Sequence, residues 1–342
     1  MITEAQIQSA IAAGILDETT ANSLKKYVSS TPNANFIDNA DEEHFQLVTG
    51  FNDIFVVIAS WLLLLSIKWI GGAMLGSVLA AAVSWGLAEF FVHKRRMALP
   101  AIVLLLAFVG NVFYGALVLT QLIIKSVNYE YIYNPPALFI APALIAMLAA
   151  WLHWLRFKVP ITVAAGSAAL VGGVLAAVLA LPFTKELALP IAVVAGLAVF
   201  AFAMRWDSLD TSRQTQKSDV GFWLHLLAAP LIIHPVFSLL GVLQGAIEPA
   251  QAAVVLALYI GIAVISLLID RRALMVSALG YVVYVFSMLL NNLGHIELGF
   301  AITAFVIGSA LLMLSAFWHT CRHYLMSFIP ANLSAYLPIT KD

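Results

Sequence analysis

Two histidines and two prolines share one apolar stretch, VGFWLHLLAAPLIIHPVFSLLGVLQG at 220–245. The proline ring carries no N–H, so Pro230 cannot donate to the carbonyl of Leu226, nor Pro235 to that of Leu231. Two such losses so close together predict a kinked or broken helix. In lipid the freed carbonyls would need protein, water or a ligand as partners. His225 and His234 flank the expected break. Imidazole titrates near neutral pH, so one reading is a proton, ion or solute site. The other is a pair of histidines bonded to neighbouring helices, with the prolines shaping a bend. In a straight helix nine residues turn through about 900°, which would set the two rings on opposite sides. Neither histidine belongs to an HxxxH spacing, and no metal site is predicted.

Polar residues deep in apolar segments are the natural place to look for function, because lipid leaves them unsatisfied. Asn111, Tyr114 and Gln121 fall close to one helix face, and so do Tyr281, Tyr284 and Asn291. These faces either line a cavity with the 220–245 helix or form hydrogen bonds between helices. The sharper expectation has His234 facing a hydrated interior shared with Asn111 and Tyr284. Glu89, near His93, Lys94 and Arg95, is expected in an interfacial ion pair. The chain has no GxxxxGK[ST], HExxH or GxSxG motif and a single cysteine, Cys321. No catalytic residue, cofactor or metal is predicted, and an enzyme is not expected.

Whatever these residues do, apolar helices must hold them. Hydrophobic residues make up 62% of the 342 and charged residues 10%, a balance that would force a water-soluble fold to expose large apolar patches. The expected fold class is all-α: a polytopic integral membrane helix bundle with the lipid bilayer as its solvent. A span needs roughly 20 apolar residues. Ten segments qualify: 52–70, 72–92, 99–124, 137–155, 159–181, 187–205, 220–245, 249–269, 273–293 and 297–318. The separators Gly71-Gly72 and Arg156–Pro160 are tight, so their flanking spans should be antiparallel hairpins. Small residues at Gly72, Gly76 and Ala80, and at Gly166, Ser167, Gly172 and Gly173, predict close helix packing.

Charge placement orients the spans. With the N-terminus inside, fourteen of the 17 Lys and Arg residues are cytoplasmic, and only Lys68, Lys125 and Lys185 lie outside. Both termini are then cytoplasmic. The loop 206–219, WDSLDTSRQTQKSD, reads as a solvated connector. The formal net charge of −1 gives no basic field for nucleic acid.

Residues 1–50 are expected to form a cytoplasmic helical hairpin and linker, residues 51–320 the transmembrane domain, and 321–342 a cytoplasmic tail. In the hairpin Thr3 and Gln6 fit a capping box, Gly14 ends the first helix and Asp17 caps the second. Ala21, Leu24, Tyr27 and Val28 form a narrow apolar stripe, too small for a core of its own. It predicts docking at residues 1–30, on the membrane domain, a protein partner or a second copy.

GILDETTANSLKKY at 14–27, GFNDIFVVIASWLLLL at 50–65, GFWLHLLAAPLIIHP at 221–235 and DRRALMVSALGYVVY at 270–284 carry a resemblance. The chain resembles an uncharacterised bacterial family of multi-spanning membrane proteins that begin with a short helical hairpin. The resemblance implies this domain layout and placement in the bacterial inner membrane. It supplies no activity and no site residues. The sequence leads to a transporter or permease of a small solute or ion, with a non-transporting membrane scaffold or sensor as the alternative.

Overall fold

The computed structural model describes residues 11, 13–14, 16–23, 51–126, 135–182, 184–213, 215–242, 248–292, 299–334 and 336–338. The chain divides into two compact units, Met1–His44 and Phe45–Asp342. In the first, Gly14 adopts the left-handed conformation (φ 68°) and its amide donates to the carbonyl of Ile11. A helical turn follows over 18–23, opened by the Ala21 amide donating to the Asp17 carbonyl, with Ala21 buried. The expected capping box at Thr3 and Gln6, and Leu24, Tyr27 and Val28 of the apolar stripe, lie outside the described residues.

The second unit is mostly helical, with no strand among its described residues. Its helices are α1 (Phe51–Ala88), α2 (Ala98–Ser126), α3 (Ile140–Phe157), α4 (Ile161–Leu179), α5 (Ala188–Ser208), α6 (Gln216–Leu239), α7 (Pro249–Ile269), α8 (Ala273–Asn292), α9 (Gly299–Ala316), α10 (Trp318–Met326) and α11 (Ala331–Ser334). A π-helical turn, Glu89–Lys94, follows α1, and 3-10 turns at Pro135–Phe139 and Lys185–Leu187 lead into α3 and α5. Among the described residues, eight stretches suit a membrane span by length and composition, or nine with the bent pair formed by α9 and α10.

The first of the eight, Phe51–Lys94, has 44 residues. A straight helix of that length would measure about 66 Å, twice the hydrocarbon core. Gly72 resolves the excess: it has φ 67° and ψ −166°, a conformation open to glycine alone at little cost. A Cβ on Gly76 would lie 2.9 Å from the Cα of Lys68, whereas eight residues of continuous helix rise about 12 Å. Leu64 and Ala80 accordingly share one core cluster. α1 is therefore a hairpin of two arms. Counting the arms separately and the bent pair as one, the chain accommodates the ten spans read from the sequence. The protein is a multi-pass helical membrane protein. Trp69, Phe305 and Leu312 are among the large apolar side chains turned outward, where lipid is their solvent.

Small residues set the packing. Gly173 meets Ala143 and Gly166 meets Ala150 along the α3–α4 pair. Ala192, Gly196, Val199 and Ala203 form the buried stripe of α5, with Gly196 against the backbone of Leu231 and Ile232 in α6. Close approach of this kind gains dispersion and interhelical contact where lipid supplies no hydrophobic drive.

The predicted break in the 220–245 segment is corrected by the structure. α6 is one continuous helix from Gln216 to Leu239 with Pro230 and Pro235 inside it. Each proline removes one hydrogen bond from the ladder, and the turns on either side keep the rest. The chain turns away after Leu239, with Gly241 at φ 70°.

Candidate functional site

Because α6 is unbroken, its two histidines point to different neighbours. His225, fully buried, meets α5, and His234, nine residues later, lies on an exposed face against α8. The half-turn offset expected of a straight helix accounts for this.

The buried side is an ion lattice at one end of the bundle. Asp207, next to last in α5 and 2% exposed, accepts from Arg271 Nη2 at 2.8 Å and pairs with His225 Nε2 at 2.9 Å. The same guanidinium donates to the carbonyl of Ser218 at 2.9 Å and to its hydroxyl at 3.0 Å. Gly221 makes room: a Cβ there would stand 2.2 Å from Asp207 Oδ1. A carboxylate and a guanidinium removed from water are tolerated when both are paired and their remaining hydrogen-bonding sites are filled.

The lattice extends through the turn between α7 and α8. Asp270 caps α7 in the left-handed conformation (φ 56°). Its carboxylate accepts from Arg213 Nη1 at 2.9 Å and from the Trp318 indole at 2.7 Å, with Arg322 at 3.9 Å. Arg213 also donates to the carbonyls of Ile269 and Asp270, and Arg322 to those of Leu267 and Pro338. Arg213 thus occupies the carbonyl of Ile269 at the C-terminus of α7, where helical donors run out. Asp210 closes the α5–α6 turn by accepting from the amide and hydroxyl of Thr215. Burial, followed by the neighbouring Arg271, lowers the Arg213 guanidinium to about 10, so it is still a cation at neutral pH.

The 206–219 loop is thus only partly solvated: Asp207, Asp210 and Ser218 are buried, and Asp207 and Ser218 are tied to two other segments, α6 and the α7–α8 turn. The sequence reading counted Arg213, Arg271 and Arg322 as topology markers and passed over Asp207. The signal available was the three-residue turn Asp270-Arg271-Arg272, too short to carry all its charges into water, beside a loop of mixed charge.

The other expected site residues do not converge. His234 Nδ1 and the Tyr281 hydroxyl share a hydrogen bond of 2.5 Å, and Tyr281 stacks on Phe237 at 4.8 Å. Asn111 donates to Ala107 of its own helix, and its Oδ1 is buried without a partner among the described residues. α2 packs on α1, α3 and α4, whereas α8 packs on α6, α7 and α9. The predicted interior shared by Asn111, His234 and Tyr284 is therefore corrected: these residues belong to different helix groups. Tyr114 lies under the Lys68 ammonium at 4.1 Å, and Gln121 and Tyr284 are exposed. The side chain of Asn291 lies outside the described residues.

Glu89 is in an ion pair, as expected, though with Arg156 at 2.7 and 2.8 Å. His153, unmarked in the sequence reading, is fully buried against Trp85, Phe108 and Phe157, with Thr162 Oγ1 at 3.3 Å. A cavity of about 520 Å³ lies among α2, α3 and α4. Its lining, including Phe113, Phe139, Ala143, Gly172 and Leu179, is apolar and contains neither His225 nor His234. No three His, Cys, Asp or Glu side chains gather into a metal site among the described residues.

Comparison with known protein families, with curated proteins and with solved structures returned no match. The chemistry of the lattice is therefore read from its geometry. Its capacity is cohesion plus one protonatable ring: His225 Nε2 faces the carboxylate, and Nδ1 has no partner among the described residues. A change in the protonation of this ring would alter the charge facing Asp207 and Arg271.

Proposed function

We propose that the chain is a scaffold or sensor of the bacterial inner membrane, whose cytoplasmic N-terminal hairpin recruits a protein partner. The observation that carries this reading is the course of α6. It runs unbroken past both prolines, places His225 inside the ion lattice, and leaves His234 on an exposed face bonded to Tyr281. A bundle tied at one end by buried ion pairs supports a fixed platform better than a moving gate. The apolar lining of the large cavity supports the same choice. On this reading the protein catalyses no reaction, binds no cofactor, and has its basic end and both termini in the cytoplasm. The test places a photo-crosslinking residue at Leu24 in intact cells. One discrete adduct is expected, lost in a Tyr27→Glu background; absence of any adduct would count against recruitment.

Transport of a proton, ion or small solute is the second reading. The Asp207–His225–Arg271 group favours it, because ionisable residues buried at the edge of a span often mark ion paths. Proteoliposomes loaded with a pH-sensitive dye separate the two. The scaffold reading expects no proton flux above that of empty vesicles. A flux abolished by His225→Gln would replace it with transport.

A further inference from the structure

A second cavity, of about 200 Å³, lies between α8 and α9, with α7 as its back wall and α10 at one end. Its composition changes along its length. At the lattice end stand Arg272, Ser315 and Trp318. Arg272 immediately precedes α8, its side chain is exposed, and its guanidinium lies 4.7 Å above the Trp318 ring. Further in, Leu279 and Leu311 form apolar walls, and Tyr259 presents a hydroxyl with no hydrogen-bond partner among the described residues. Leu279 is seven residues beyond Arg272, a depth of about 10 Å. Val276, on the cavity lining, is turned outward, where a bilayer covers it.

A cation and an indole at the level of the headgroups, continuing into an apolar slot open to lipid, complement an amphiphile with a negative head. Basic pockets between helices are suited to anionic headgroups, and tryptophan is at home at the interface. A soluble anion would use the mouth and leave the slot empty. We propose that this slot binds an anionic phospholipid, its phosphate on Arg272 and one acyl chain along Leu279 and Leu311.

The test uses the full chain in detergent and follows its thermal midpoint during titration with lipid. Phosphatidylglycerol should raise the midpoint saturably, whereas phosphatidylcholine with the same chains, or inorganic phosphate alone, should not. In Arg272→Gln the concentration for half the effect should rise about tenfold, the loss of one charge-assisted bond. Arg156→Gln, which removes an exposed cation elsewhere, should respond like the parent. Leu311→Trp fills the slot without touching a charge and should also abolish the response, so it carries the test even where Arg272→Gln fails to fold. Equal effects of the two lipids, equal losses in Arg272→Gln and Arg156→Gln, or a full response in Leu311→Trp would overturn the proposal. A response to phosphate alone would assign the mouth to a soluble anion instead.

Discussion

Asp207 receives Arg271 from the α7–α8 turn and His225 from α6, so one carboxylate holds two side chains that lie far apart in sequence. Removing it leaves a buried guanidinium without its counterion. Asp207→Ala is expected to lower stability by about 3–5 kcal/mol. The double variant Asp207→Leu with Arg271→Leu should recover much of that loss, because both desolvation costs leave together. Denaturation midpoints in detergent check this, and a double variant as unstable as the single one would contradict it. Gly221→Ala must displace Asp207 Oδ1 and should cost about 1–3 kcal/mol, whereas Gly280→Ala, with nothing within 4 Å of its new Cβ, should be tolerated. The sequence exposed His225 as a polar residue in an apolar stretch. It hid the partners, because a carboxylate or guanidinium at the edge of a span reads as a solvated loop charge until the packing of α5 on α6 encloses it.

Helix ends were legible where turn chemistry is explicit. α7 occupies the expected 249–269, opened by Pro249 and closed by Asp270, and the Gly71-Gly72 pair marks the reversal of α1. The 68° bend between α9 and α10 was not legible, since Phe317 is neither glycine nor proline and the bend is held by the Trp318 indole on Asp270. Proline misled in the opposite direction at α6. Since Pro230 lies exposed in a continuous helix, Pro230→Ala should restore one ladder bond and stabilise by up to about 3 kcal/mol. A lowered midpoint would show that the ring itself has a packing role. At the α5–α6 crossing the reverse holds: Gly196→Ala sets a Cβ 2.8 Å from Ile232 Cγ1 and should cost about 1–3 kcal/mol, while Gly172→Ala, facing open space, should not.

For the molecule as a whole, contacts place the basic turns on one side. Glu89 beside the α1–α2 turn pairs with Arg156 at the end of α3, and Trp154 of α3 touches Trp206 of α5. Asp207 of α5 binds Arg271 of the α7–α8 turn, and Arg322 of α10 binds the end of α7. The alternation counted from Lys and Arg positions is thus matched by four turns and helix α10 meeting at one end. On the proposed orientation, the positive-inside rule puts that end in the cytoplasm. Single cysteines at Ser212 and Ser126, both exposed, in a Cys321→Ala background report this directly through an impermeant thiol reagent on intact cells. The account predicts that Ser126→Cys is labelled and that Ser212→Cys reacts only after the cells are opened. Labelling of Ser212→Cys on intact cells would contradict it.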